Sequence, residues 1–374
     1  MTSLPDAIVI GAGIVGAACA EALARAGLSV LIMEESFAGS GTTAAGMGHI
    51  VVMDDSPAQL ALTAYSERLW NSIADELPRN VERDACGTIW VAEDEMQLDA
   101  VRAKHLVYNE HGVASHVLGP LEVAEAEPQL RPGIAGGLLV PDDGVIYPPA
   151  GALALLATAR EHGAVLREGM RVDAIGAREI RCGSERIACD VVINAAGAAA
   201  PALTPGIPIV PRKGHLVITD RYPGFCRHQL VELGYLTSAH TMTTESVAFN
   251  VQPRATGQLL IGSSRELVGW DPSINPTIVR RMLNRAIDFM PSISGVSAIR
   301  TWTGFRPATP DKLPLIGPWE DTPGLWIAAG HEGLGITTSL GTAQLLCDLI
   351  VGREPEIDAA PYAPMRVLSG VGAH

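Results

Sequence analysis

Ile8-Val9-Ile10-Gly11-Ala12-Gly13-Ile14-Val15-Gly16, answered by an acidic residue at Glu34, is the stretch whose reading decides the fold. The apolar run predicts a buried parallel strand. Gly11 permits the tight turn that follows, Gly13 lets the backbone approach a pyrophosphate, and Gly16 lets helix and strand pack closely. Ala12, Ile14 and Val15 complete this turn. The helix it opens, rich in alanine from Ala17 to Ala24 and closed at Gly27, points unpaired N–H groups and a positive dipole end at the phosphates. A second strand over 29–33 delivers Glu34, with Glu35 beside it, to where a ribose diol would hydrogen-bond a carboxylate. Strand, turn, helix, strand and Glu in this order make a dinucleotide site. They do not say which dinucleotide, because Glu34 suits the adenosine ribose of FAD or of NAD equally.

Composition narrows the field. A chain of 374 residues is long for one core and predicts two domains. The formal net charge of −14 argues against nucleic acid or an anionic membrane as partner, and an anionic substrate would need a local basic anchor. No run of eighteen apolar residues exists, so no transmembrane segment is expected. The first strand begins by residue 6, which leaves no room for a signal peptide. The six cysteines are scattered without metal spacing, as in reduced packing residues of a cytoplasmic protein.

Further along, Gly39-Ser40-Gly41-Thr42-Thr43-Ala44-Ala45-Gly46-Met47-Gly48-His49 is small enough to hug a flat or phosphorylated ligand. Helices are expected over 59–77, 95–111 and 150–162, and a strand over 87–92 in which Thr88, Trp90 and Ala92 alternate with Ile89 and Val91. Residues 136–140 read as a strand and 165–172, ending at Val172, as extended chain. Cys189 to Gly197, through Ala196, reads as a fully buried central strand that ends beside a ligand. Strand-like runs at 209–210, 215–219, 247–251 and 258–262 make a β-rich second region. A strand over 325–329 then leads through a glycine-rich turn into an apolar helix from Gly335 to Val351. The nucleotide-binding domain is thus expected from 1–80, 145–205 and 300–374, and the substrate domain from 81–144 and 206–299.

Four ordered segments resemble the FAD-dependent amine and D-amino-acid oxidoreductases, the family of glycine oxidase, sarcosine oxidase and D-amino acid dehydrogenase. They are the opening fingerprint, Thr43-Ala44-Ala45-Gly46-Met47, Val191 to Gly197, and Gly304-Phe305-Arg306-Pro307-Ala308-Thr309-Pro310-Asp311-Lys312-Leu313-Pro314-Leu315-Ile316-Gly317. The last is followed by Gly324-Leu325-Trp326-Ile327-Ala328-Ala329-Gly330-His331-Glu332-Gly333-Leu334-Gly335-Ile336. Within the family, Val210 to Thr219 and Phe249 to Arg254 look closest to the flavin subunits of D-hydroxyproline dehydrogenase, opine oxidases and hydrogen cyanide synthase. The resemblance implies an α/β fold: a Rossmann-like FAD domain of the D-amino-acid oxidase/glutathione reductase type plus an α+β substrate domain with a mostly antiparallel sheet. It also implies other subunits of a heteromeric dehydrogenase as partners.

In such proteins a substrate Cα–H passes as hydride to flavin N5, leaving an imine, and orientation matters more than an acid–base pair. By resemblance, Gly330, Gly333, Leu334, Gly335, Ile336 and Thr337 stabilise charge on the reduced flavin, with the dipole of the following helix. Arg306 is the expected carboxylate ligand, since a guanidinium fork binds a carboxylate bidentately; a salt bridge to Asp311 is the plain alternative. His49 and Met47 follow the small-residue loop toward the ring, although His49 also reads as an ordinary loop residue. Asn250 stands where some relatives have a carboxylate-holding tyrosine, and Glu332 where glycine is frequent. Lys213 and His331 are further possible neighbours. The Gly304 block lacks the cysteine that tethers flavin in sarcosine oxidase, so non-covalent FAD is expected, and the resemblance implies a small D-amino or imino acid of the D-hydroxyproline or D-proline kind as substrate.

Overall fold

The computed structural model describes residues 4–234 and 245–367, and among these two large sheets organise the chain. The first has six strands, in the order Leu315–Pro318, Leu325–Ala329, Val191–Asn194, Ala7–Ile10, Val30–Met33 and Val165–Arg167. Every neighbouring pair is parallel except Leu315–Pro318 with Leu325–Ala329. The run at Val191–Asn194 is apolar on both sides because both faces of this sheet are covered. Val9, Ile32 and Ile193 pack with the helices Ile14–Arg25, Pro148–Glu161 and Ser339–Val351, whereas Ile8, Leu31 and Val192 pack with Ile180, Ile207 and Trp319 on the other side. Each such side chain contributes about 1.5–3 kcal/mol relative to exposure. The alanines of helix Ile14–Arg25 let it lie close against both other helices.

The second sheet has eight strands: Ala298–Ala308, Val210–Thr219, Leu259–Glu266, Glu245–Pro253, Gln229–Glu232, Thr88–Ala92, Gly136–Val140 and His116–Leu118. Its one parallel pair is Gln229–Glu232 with Thr88–Ala92. The runs expected at 209–210 and 215–219 form a single ten-residue strand. That strand pairs with Ala298–Ala308 along nearly its whole length, so this sheet continues to Ala308 instead of stopping at 299. The chain enters the first sheet again only at Leu315.

The alternation in Thr88–Ala92 marks two buried faces, not one dry face and one wet one. Ile89 and Val91 join Leu230, Phe249 and Val251 beneath helix Pro276–Phe289, where Phe249 and Phe289 stack with ring centres 4.2 Å apart. Trp90, Ala92 and Val231 face the other way, toward Val51 and Met53. The C-terminal helix is shorter than the sequence suggests. It begins at Ser339, four residues after Gly335, because 334–338 form a turn closed by Thr338 N–H to Leu334 O (2.8 Å). It ends at Val351 on left-handed Gly352 (φ 71°).

Candidate active site

A cavity of about 800 Å³ lies between the two sheets. One end is built by the opening fingerprint. Gly11 holds φ 101°, and a Cβ there would come within 2.7 Å of Ala195 O; a Cβ on Gly16 would collide with Gly11 O. Strand, turn and helix can therefore close only with glycine at both positions. The Glu34 carboxylate is buried and doubly anchored: Oε2 accepts the Ala12 N–H (2.8 Å) and Oε1 the Ser36 N–H (2.9 Å). Thr43 Oγ1 accepts the Ile14 N–H (2.9 Å), pinning the small-residue loop to the first helical turn.

Gly11, Gly13, Ile14, Val15, Glu34, Glu35, Thr42 and Thr43 line this end of the cavity, together with Val172, Ala196 and Gly197. Gly46, Met47, Gly48, His49, Arg306, Gly333, Gly335 and Ile336 line the remainder. Other expected residues stand off the wall. Ala12 and Gly16 lie behind it, where the fingerprint folds on itself, and Ala44 points to solvent. Gly330 (φ 85°) packs against Thr309, where a Cβ would come within 2.6 Å of its methyl group. Thr337 is buried: its hydroxyl donates to His49 O (2.9 Å) and accepts from Val51 N–H (3.3 Å), tying the C-terminal turn to the strand that carries His49. Leu334 faces a second, smaller space.

That space is a recess of about 70 Å³, which shares His49, Asn250, Arg306, His331, Glu332 and Gly333 with the large cavity. Arg306 is half-buried and donates through Nη1 to Ser264 O (3.0 Å). Asp311 pairs with Arg366 (2.7 Å). Arg265 and Lys312 add positive charge to the recess wall, against Asp55 and Glu332. Glu332 sits at φ 47°, a left-handed position that favours glycine, and is held there by an ion pair to buried Arg212 (2.7 Å).

Both histidines are kept neutral. Burial pushes His49 down to about 4, opposed by the Gln252 side chain, whose amide oxygen would accept from the protonated ring, and assisted by the charges of Arg306 and Arg254. Burial alone takes His331 to about 3, and its Nε2 lies 3.0 Å from Thr342 Oγ1. Lys213 is fully buried and bound to Ser273 O (3.1 Å), Asp271 and Glu266, so it anchors the loop that carries Trp270 and does not line the cavity. Trp270 itself lines the cavity and lies against Phe305, ring centres 5.1 Å apart. Trp270, like Trp90 and Gln229 in the recess, escapes sequence reasoning because no local pattern marks it.

The residues present fit FAD. The glycine cradle admits a pyrophosphate at a helix N-terminus, a fixed carboxylate stands a strand away for the ribose, and the cavity runs on past Met47 to Gly335 and Ile336. The chain belongs to the FAD dependent oxidoreductase family, whose model matches residues 6–349. Its cofactor is FAD.

Glycine oxidase from Geobacillus kaustophilus is 28% identical over 389 residues, covering 100% of both chains. Hydrogen cyanide synthase subunit HcnC from Pseudomonas aeruginosa is 28% identical, covering 96% of each, and D-amino acid dehydrogenase from Xanthobacter autotrophicus is 27% identical, covering 96% and 98%. The crystal structure of the Geobacillus glycine oxidase superposes with a TM-score of 0.86 at 27% identity over 97% of this chain and 98% of that one. L-proline dehydrogenase from P. horikoshii shares the fold, with a TM-score of 0.88 at 24% identity over 99% of each chain.

Proposed function

We infer that this chain oxidises a small D-amino or imino acid to its imine, with substrates of the D-hydroxyproline or D-proline kind favoured. The observation that carries the reading is the position of Arg306. Its side chain lines both the FAD-sized cavity and the recess, which is where a substrate carboxylate must be held for its Cα–H to meet the cofactor. When bound, FAD supplies the hydride acceptor. The chain supplies orientation: Arg306 as carboxylate ligand, neutral His49 and His331 as walls that add no competing charge, and the amides of the 333–336 turn for charge on the reduced ring. The same assignment makes 11–16, Glu34 and 42–49 the cofactor ligands. No cysteine lines the cavity among the described residues, which supports non-covalent attachment.

The relatives named as a D-amino acid dehydrogenase and as a subunit of hydrogen cyanide synthase support a catalytic subunit that passes electrons to other chains. No helix among the described residues is long and apolar enough to cross a membrane. The test is anaerobic reduction of the purified flavoprotein by a panel of D- and L-amino acids, glycine, sarcosine and proline derivatives. Bleaching by a D-imino acid without rapid reoxidation by oxygen is expected. Bleaching by glycine or sarcosine with fast oxygen uptake makes the chain an oxidase instead, and no bleaching by any member overturns the reading.

A further inference from the structure

Buried polar atoms in folded proteins are nearly always paired. The deep wall of the recess departs from that rule three times. Among the described residues, Trp90 Nε1, Gln229 Oε1 and Asn250 Oδ1 have no hydrogen-bond partner, although the residues that carry them are only 1%, 0% and 4% exposed. Strand register brings them together. Trp90 and Asn250 both pair with Val231, from opposite sides, and Gln229 precedes Val231 by two residues, so the three side chains share one face of the eight-stranded sheet. All three line the recess.

Two of them are held from behind. The Lys104 ammonium, paired with Asp54, lies 4.6 Å from the centre of the Trp90 ring. Gln229 Nε2 donates to Thr88 Oγ1 (3.2 Å), and the Thr88 hydroxyl is itself hydrogen-bonded to the buried Asp143 carboxyl, so the amide oxygen is the end left for a ligand. The wall therefore presents one donor, the indole N–H, and two acceptor oxygens. A carboxylate only accepts, an ammonium or guanidinium only donates, and a hydroxyl has a single proton for two acceptors. A primary carboxamide answers all three atoms at once: its carbonyl accepts from Trp90, and its two N–H bonds donate to Gln229 and Asn250. A recess of about 70 Å³ takes a group of that size.

We propose that the recess binds a primary carboxamide on the substrate's side chain, with Trp90, Gln229 and Asn250 as the residues that select it. Trp90 and Gln229 line the recess but not the FAD-sized cavity, whereas Arg306 lines both. A substrate anchored by its carboxylate at Arg306 thus offers these atoms its side chain, not its reacting Cα–H. The carboxamide site rests on the proposed function, in which Arg306 holds the carboxylate of a D-amino acid, and it adds an open-chain class, of the D-asparagine or D-glutamine kind, to the substrates named there. A plain proline ring leaves all three atoms unpaired. Sites built to hydrogen-bond a polar group discriminate strongly against analogues that lack it.

The test uses the holoenzyme and sets D-asparagine against D-leucine, its hydrocarbon isostere, and D-aspartate, and D-glutamine against D-glutamate, with D-proline and glycine alongside. At least one amide should exceed its comparators by about 10-fold or more in kcat/KM. Gln229→Leu and Trp90→Phe should each shrink that preference several-fold. Succinamate, 4-methylpentanoate and succinate, which lack the amine and cannot be oxidised, should bind in the same order by calorimetry, succinamate tightest. If D-proline or glycine reduces the flavin but neither amide exceeds its comparators, the carboxamide site is overturned on its own and the recess is left to ordered water. A preference for D-aspartate or D-glutamate overturns it in favour of an acidic group. If no member of the panel bleaches the flavin, the functional reading fails, and the binding order of the three analogues decides the carboxamide site by itself.

Discussion

Gly214 lies directly under the guanidinium of Arg306: a Cβ at 214 would collide with Nη1, Nη2 and Cζ together. The absence of a side chain on the neighbouring strand therefore sets where the positive charge can rest. Gly214→Ala must push Arg306 off its present position, and a displacement of about 1 Å costs roughly 100-fold in a positioned reaction. A fall of 10- to 100-fold in kcat/KM is expected, with the flavin spectrum and stoichiometry unchanged.

Arg306→Ala should raise KM sharply and lower kcat/KM by about 100-fold or more, because a charged partner is removed from a shielded site. FAD content should not change. Steady-state kinetics together with the flavin-to-protein ratio check both halves, and unaltered kinetics would remove the carboxylate assignment.

Glu34→Ala leaves the Ala12 and Ser36 N–H groups without their acceptor and deletes the carboxylate from the nucleotide end. Losses of about 1–3 kcal/mol predict roughly 10- to 100-fold weaker FAD binding. The variant should purify partly as apoprotein and regain colour on titration with FAD. Full retention of flavin during dialysis would contradict this.

Acid stability should depend on the two neutral histidines. Both have folded pKa values below the unfolded value near 6.5, about 4 for His49 and about 3 for His331. Between those limits the unfolded chain binds more protons, so their contribution is fully present above pH 6.5 and declines as pH falls toward 4 and then 3. Melting temperatures recorded from pH 7 to 4 should drop, and His331→Gln should flatten the drop. A steeper fall in that variant would sink the assignment.

Precipitation with acid should leave the yellow colour in the supernatant. The cavity wall contains no cysteine among the described residues, and Cys347 is turned away into the core, its thiol 3.5 Å from Ala22 O. Colour retained in the pellet would show a covalent link.

The nucleotide end was legible because its requirements are local. Gly16 and Glu34 are held by contacts within one strand–turn–helix–strand unit and Gly11 by the left-handed turn inside it, so their spacing carries the information, while the clash that also excludes a side chain at Gly11 comes from Ala195 outside it. Gly333 and Gly335 were legible from the resemblance and not from a local constraint, and the helix they precede starts later, after Thr337 has donated its hydroxyl to His49 O. The recess was not legible. Trp90, Gln229 and Asn250 are single polar or aromatic residues in ordinary strands, brought side by side only by the register of three strands distant in sequence. Gly214 lies inside the Val210–Thr219 stretch, and nothing near it in sequence names Arg306 as the group it clears.

Arg306 stands on the edge strand of the eight-stranded sheet, while the FAD cradle is built on the other sheet. The two are fastened together along that strand: Thr42 Oγ1 donates to Phe305 O (2.8 Å), Trp302 Nε1 donates to Ala45 O (3.3 Å), and a Cβ on Gly304 would come within 2.5 Å of the Ala45 side chain. A protein engineer who wants to retune the recess without loosening the cofactor must therefore work away from this seam, on the strands that carry Trp90 and Gln229.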